Sequence, residues 1–492
     1  MPDPRTAPLE MRGDVFRAIG HHLVDRIAQF LDSLPDRPVT PGEEPPTVRA
    51  ALGADRSMPA DGADPAGLVG AAADLLFDHS LFNSHPRFWG YITAPAAPIG
   101  ILGDLLASAA NPNCGAWFLS PMASEIEAQT IRWIAELVGY PTDTGGIFVS
   151  GGNMANMVCF YAARAARAGW DVRGHGLQWD DARRLRIYCS AETHTWIYKA
   201  ADLSGIGTDS IRWIRTDGDQ RMDLDHLRQT IRTDRRSGDQ PFIVVGTAGS
   251  VSTGAVDPLP AMAAICREEE VWFHADGAYG GFAAMLPDAS AELRGLSEAD
   301  SVAVDPHKWL YAPLEAGCAL VRDREALRAA FSYHPPYYRF GVEAVNYFDF
   351  GPQNSRGFRA LKVWLALQQV GRRGYERMIA DDIRLTRELF DLISADPEFE
   401  AFTCELSIAT FRYVPPSIER GSPESEEYLN RLNTELLTRL QQGGQAYVSN
   451  AVLDGRFLLR ACIVNFRTDR EDIAALPGIV RTLGRELAGG PS

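Results

Sequence analysis

The chain has 492 residues, 46% of them apolar and 23% charged, and carries a formal net charge of −16. That composition excludes disorder as the main state, and the length exceeds one compact core, so two or three packed units are expected. An acidic surface argues against a nucleic-acid partner but leaves room for a local pocket that takes a single phosphate.

The first residues, Met1 to Leu9, are polar and contain proline, unlike a signal peptide. Apolar residues at helical spacing (Val15, Ile19, Leu23, Ile27, Leu31) predict a helix over 11–34. A Pro-rich connector is expected over 35–46 and a second helix over 68–76. Residues 1–95 therefore read as an amphipathic extension that needs a partner surface, in its own chain or in a second one. The longest apolar stretch, 94–110, carries Asp104 with several Pro and Gly residues, so no membrane span is expected. The seven cysteines are scattered and form no C-x-x-C pair, which argues against a disulfide framework and against a metal site. A reducing cytoplasm fits these features.

From about Gly146 the pattern becomes α/β. Short apolar runs at 147–149, 185–188, 242–245, 271–273, 301–304 and 318–321 read as buried parallel strands, with helices such as 153–167 and 259–269 between them. The fold class is therefore α/β, with a mostly parallel sheet covered on both faces over 96–365. A helix is expected over 358–370. A smaller α/β unit follows over 366–492, with a helix near 426–441 and a strand near 456–463.

Ligands of such sheets sit beyond the carboxyl ends of the strands, so the residues just after each strand matter most. Ser150-Gly151-Gly152-Asn153 follows the first strand and opens a helix, which suits a phosphate but equally fits a plain tight turn. His194 follows the second, where an imidazole could stack on a flat ring or simply cap a helix. Asp276 and the small Ala278 follow the 271–273 strand; the carboxylate could pair with a pyridinium nitrogen or serve as a turn residue. Asp305-Pro306-His307-Lys308-Trp309 follows the 301–304 strand, where Lys308 is either a Schiff-base nucleophile or a surface lysine. Taken together, these residues supply what pyridoxal 5'-phosphate (PLP) requires: a phosphate anchor, a ring cover, a partner for the ring nitrogen and a covalent link.

At this point the chain resembles the group II PLP-dependent amino-acid decarboxylases, the aromatic-L-amino-acid decarboxylase family. The carriers are Pro306-His307-Lys308-Trp309, His274-Ala275-Asp276-Gly277-Ala278-Tyr279, His194 with its helix, Phe358-Arg359-Ala360-Leu361-Lys362, and the spacing of 32 residues from Asp276 to Lys308. The resemblance implies fold type I (aspartate-aminotransferase-like) and a homodimer with active sites at the interface, wrapped by the N-terminal extension. It implies that Lys308 links the cofactor, Asp276 holds the ring nitrogen, His194 stacks on the ring and Ala278 packs on the other face. Gly151, Gly152, Asn153, Asp305 and His307 would lie around the phosphate, and Tyr91 and Thr93 would line the substrate pocket. The implied reaction is decarboxylation of an L-amino acid, aromatic by default, to an amine. Tyr337, or its neighbour Tyr338, would return the proton to Cα. Arg356 is the expected receiver of the substrate carboxylate. Ser355 stands where those enzymes carry glycine, which would favour a phenol or imidazole side chain over indole, unless Ser355 only caps a helix. Gly115 replaces an aromatic pocket residue. The alternatives are decarboxylation coupled to oxidative deamination, which releases aldehyde, ammonia and hydrogen peroxide; a non-aromatic substrate; and a catalytically silent partner protein.

Overall fold

In the computed structural model, which describes residues 7–180, 182–333 and 344–489, the strands form two sheets. In chain order they are β1 (Phe88–Trp89), β2 (Gly145–Val149), β3 (Leu185–Ser190), β4 (Ile211–Ile214), β5 (Gln240–Thr247), β6 (Trp272–Asp276), β7 (Ser301–Val304), β8 (Gly317–Val321), β9 (Phe399–Glu405), β10 (Ile408–Tyr413), β11 (Tyr447–Leu453) and β12 (Arg456–Cys462). The larger sheet has the order β2-β8-β7-β6-β5-β3-β4. Every residue of β2, β3, β6, β7 and β8 is buried, which is why these strands read as continuous apolar runs rather than alternating ones.

One strand corrects the sequence reading. The run 318–321, expected to be parallel, pairs antiparallel with both β7 and β2. Its connection from β7 contains no helix to carry the chain back along the sheet face, so the chain doubles back instead. The carboxyl ends of β2, β3, β5, β6 and β7 therefore share one edge, and β8 begins at that same edge. The edge strand β4 escaped the reading because it is four residues long and half-exposed at its centre.

The smaller sheet has the order β1-β11-β12-β10-β9 and is covered by the helices Pro423–Gln442 and Arg470–Ala488. Its first strand comes from far upstream: Trp89 is 1% exposed and its indole N–H donates to Thr468 Oγ at 3.0 Å. The expected helix over 358–370 extends to Ala360–Ser394, because the chain turns at Gly371 (φ +65) and continues as helix rather than stopping. Val363 and Leu367 of this helix pack in the core around the larger sheet, while Leu385, Leu389 and Ile393 pack in the core of the smaller one.

The N-terminal helix spans Gly13–Ser33 and has no buried residue. It leans on the helix Pro65–Asp78 through stacked Phe30 and Phe77 rings, 4.3 Å apart, and an Arg26–Asp74 ion pair of 2.5 Å. A short helix, Pro45–Leu52, begins where the Pro-rich connector was expected to end, since proline fits the first turn of a helix. Phe16 and Val24 of the first helix and Leu102 and Leu105 of the helix Pro98–Ala110 line one exposed apolar groove. No helix among the described residues is long and apolar enough to cross a membrane.

The C-terminal helix depends on a glycine for its seat. A Cβ on Gly484 would lie 2.5 Å from Cε1 of the fully buried Tyr413. Gly484→Ala is expected to cost roughly 1–3 kcal/mol through overpacking, read as a lower urea midpoint; an unchanged midpoint would mean that the helix re-seats freely.

Candidate active site

The turns at the shared edge bring the singled-out residues together. After β2 the chain passes Ser150 and Gly151 and enters the helix Gly152–Arg167. Gly151 has φ +100, a conformation that side chains rarely adopt. A Cβ on Gly152 would sit 2.5 Å from Asp305 Oδ2 and 3.1 Å from the Ala278 methyl. A Cβ on Gly317 would sit 2.5 Å from Gly151 Cα, and one on Gly151 would sit 3.2 Å from the His307 ring. The start of β8 thus meets the turn after β2 almost backbone to backbone at a helix N-terminus, with the side chains of Ala278, Asp305 and His307 packed close against it. Such a nest of N–H groups suits a phosphate. Asn153 flanks it half-buried, with its amide 3.7 Å from Met157 Sδ.

Asp276 ends β6 and is 4% exposed. Its Oδ2 accepts from the Trp196 indole at 2.8 Å and its Oδ1 from the Ala278 N–H at 3.1 Å. Two residues earlier on the same face, His274 is wholly buried between Asn156 Oδ1 (2.7 Å) and Ser301 Oγ (2.9 Å). Burial pulls its pKa down to about 4, so it stays neutral and braces the strand beneath Asp276.

His194 stands exposed at the mouth, and its Nδ1 accepts the Trp196 N–H at 3.3 Å. The surrounding protein holds its pKa below the ordinary value by desolvation; the Lys308 charge acts in the same sense, and Asp276 and Asp305 oppose it. Lys308 lies in the turn after β7, with Nζ 3.1 Å from Asp305 Oδ2. His307 Nδ1 lies 2.7 Å from the Ala316 carbonyl oxygen.

Among the described residues, buried polar atoms around this edge have no hydrogen-bond partner: Asp305 Oδ1, Thr193 Oγ1 and Thr247 Oγ1. Thr247 is in register with Asp276 on the adjacent strand. The sequence reading missed it because β5 runs two residues further than the expected 242–245. Unpaired buried donors and acceptors beside a phosphate nest, a carboxylate and a lysine fit a polar planar cofactor such as PLP.

The comparisons agree with this geometry. Residues 49–414 match the model of the pyridoxal-dependent decarboxylase conserved domain. The chain belongs to that family. It is 32% identical over 485 residues to an aromatic-L-amino-acid decarboxylase of Bacillus atrophaeus, covering 98% of each chain. It is 28% identical to a 4-hydroxyphenylacetaldehyde synthase of Rhodiola rosea, covering 94% of each. The crystal structure of Oryza sativa TDC with PLP and tryptamine superposes with a TM-score of 0.90 at 28% identity, covering 98% of this chain and 100% of that one. The protein is thus a PLP-dependent enzyme of the amino-acid decarboxylase kind, with the fold-type-I architecture expected from its motifs.

The residues expected around the decarboxylase substrate fare unevenly. Tyr91 is 55% exposed, with φ +52, and its N–H donates to Ser449 Oγ at 3.2 Å. Its ring lies 6.3 Å from that of Tyr447, which stacks on Phe88 at 5.2 Å. Thr93 is half-buried and Ser355 is exposed. At Gly115 any side chain would overlap the Asn354 carbonyl oxygen, so this position serves chain packing. Tyr337 and Tyr338 lie outside the described residues.

Arg356 requires a correction. Expected to receive the substrate carboxylate, its side chain is 0% exposed and paired with the equally buried Glu127 at 2.5 Å. It also donates to the carbonyls of Cys114 and Phe148, at 2.8 Å each. Its charge is neutralised inside the protein, and it fastens the loop before the long helix to β2.

Arg460, in the middle of β12, was overlooked. It is 2% exposed, and its Nε donates to Ser449 Oγ at 3.0 Å while Nη1 donates to the Val251 carbonyl. Among the described residues it has no carboxylate partner. Cys462, two residues on, lies within electrostatic reach of both Arg460 and Lys308.

Removing one member of a buried ion pair strands the other charge. Arg356→Met is therefore expected to cost about 3–5 kcal/mol of stability, measured by chemical denaturation. A variant of full stability with a raised KM would return Arg356 to the substrate.

Proposed function

We propose that the protein converts an aromatic L-amino acid to the corresponding amine and carbon dioxide. The observation that carries this reading is the gathering of Lys308, Asp276 and His194 at one sheet edge, with His194 within electrostatic reach of the other two and the glycine nest beside them. Bound PLP supplies an electron sink into which the bond to the departing carboxylate can empty.

The protein's own residues bind and orient. Gly151, Gly152 and Asn153 offer N–H groups to the phosphate, with His307 beside them. Lys308 Nζ anchors the cofactor, and Asp305 aims that amine from 3.1 Å. Asp276 holds a proton on the ring nitrogen, its own orientation fixed by Trp196. His194 covers one face of the ring, and the Ala278 methyl leaves room on the other. Tyr337, with Tyr338 as the alternative, returns a proton to the substrate Cα.

The exposed ring of Tyr91, beside Tyr447 and Phe88, and half-buried Thr93 offer an aromatic wall to an aromatic side chain. Ser355 adds a hydroxyl suited to a phenol or imidazole. With Arg356 engaged by Glu127, Arg460 is, among the described residues, a buried cation without a carboxylate partner and is assigned to the substrate carboxylate. A cation holds a carboxylate more tightly than the neutral carbon dioxide it becomes, so this contact favours substrate binding and gives no help to the chemical step. The exposed apolar faces of Gly13–Ser33 and Pro98–Ala110 support a homodimer, in which a second copy covers them.

The test is to load the protein with PLP, offer each L-amino acid under air, and follow carbon dioxide, peroxide and the organic product by mass spectrometry. An aromatic amine without peroxide is expected. Aldehyde with stoichiometric peroxide would replace the reading with oxidative deamination, as the name of the Rhodiola relative allows. Lys308→Ala is expected to abolish both the cofactor's imine colour and turnover, and persistence of the colour would refute Lys308 as the anchor.

Arg460→Met is expected to raise KM without lowering kcat, and an unaltered KM would remove Arg460 from the substrate site. Because the His194 pKa is lowered, its protonated form arises only on further acidification. The acid limb of kcat/KM assigned to His194 is therefore expected below about pH 6.5. A His194→Gln variant that keeps the limb would assign it elsewhere.

A further inference from the structure

The turn that carries Lys308 is gripped from the other core by a single carboxylate. Asp382 lies on the helix Ala360–Ser394, between Ile379 in the core of the larger sheet and Leu385 in that of the smaller. It is 2% exposed. Its Oδ2 accepts the Trp309 indole N–H at 2.9 Å and the Tyr311 hydroxyl at 2.7 Å. No lysine or arginine pairs with it among the described residues.

A buried carboxylate without a cation is costly, and charge-assisted hydrogen bonds are what make it tolerable. Here both bonds go to residues one and three places beyond Lys308. The same turn is held on its remaining sides. Trp309 stacks on Tyr279 at 4.8 Å, Tyr311 meets Phe466 edge-on at 5.3 Å, and the Tyr311 carbonyl accepts the Ala97 N–H at 2.8 Å. Tyr279 in turn bonds Ser407 Oγ at 2.7 Å, in the turn between β9 and β10. Tyr311 itself has φ +53, a conformation that a tyrosine keeps only when its surroundings impose it.

We propose that Asp382 is a positioning residue: through Trp309 and Tyr311 it locks the Lys308 turn to the smaller sheet's core, so that the seating of that core sets where the Lys308 amine points. The proposal rests on Lys308 being the cofactor's anchor, and the Lys308→Ala variant tests that premise separately. If Lys308→Ala keeps the imine colour, the premise is at fault; if it loses the colour, the Asp382 variants decide the proposal alone.

The experiment mixes PLP with purified protein stripped of cofactor and follows the imine absorbance, alongside thermal melting and steady-state kinetics of the loaded enzyme. Asp382→Asn keeps an acceptor oxygen at the same place, and Asp382→Leu removes it. Two charge-assisted hydrogen bonds lost from a positioning contact predict imine formation weaker or slower by about tenfold to a hundredfold in Asp382→Leu, with kcat falling and KM within about twofold. Asp382→Asn is expected to rescue most of this loss. Should Asp382→Leu not fold, the double variant Trp309→Phe with Tyr311→Phe, which removes both donors and keeps an aromatic ring at each position, is expected to show the same split. Normal imine formation in a folded Asp382→Leu, or in that double variant, would overturn the proposal. So would a lowered melting temperature without any change in imine formation or kcat.

Discussion

Everything at the site depends on how closely backbone approaches backbone where β2 and β8 meet. A Cβ on Gly317 would overlap the Gly151 backbone, Gly151 itself holds φ +100 beside the His307 ring, and Gly152 faces Asp305 and Ala278 with as little space as Gly317. Removing the Cβ atoms lets the start of a sixteen-residue helix and the ends of neighbouring strands share one small volume. Whatever backbone N–H groups that volume offers are held by the main chain rather than by flexible side chains. The antiparallel return of β8 is part of the same constraint, because it delivers Gly317 to the edge where the parallel strands end.

Around that nest, orientation comes from buried polar groups that answer one another. Trp196 fixes Asp276, and the chain of Asn156, His274, Ser301 and Trp272 runs beneath it as a neutral hydrogen-bonded row. Glu127 and Arg356 fasten β2 to the loop that precedes the long helix, and Glu127 also accepts the Phe148 N–H at 3.0 Å. Each such group would be costly if left alone, so each permits few arrangements of its neighbours. Among the described residues, Thr247 Oγ1 and Asp305 Oδ1 have no hydrogen-bond partner, and both lie at this same sheet edge.

The long helix joins this edge to the second core. Its first half packs under the larger sheet, it turns at Gly371, and its second half carries the core of the smaller one. β1 makes the reverse connection, bringing the segment before Tyr91 into the smaller sheet beside β11. The two cores are thus tied by covalent crossings in both directions.

The sequence by itself determined the strand-and-turn frame and the residues at its ends. Buried parallel strands must be apolar throughout, so their limits are visible, and the residues after each limit stand out; Gly151, His194, Asp276 and Lys308 were singled out in this way. Thr247 was lost only because its strand was ended two residues early. Tertiary structure alone decided which buried charges are paired. Arg356 looked free because Glu127, which neutralises it, lies 229 residues away. Arg460 sits within a strand, where no local signal marks an unpaired cation, and Asp382 is 71 residues from the tyrosine it holds. Periodicity and turn chemistry act over a few residues and can be read along the chain, whereas the pairing of buried charges depends on distances that exist only once the chain has folded.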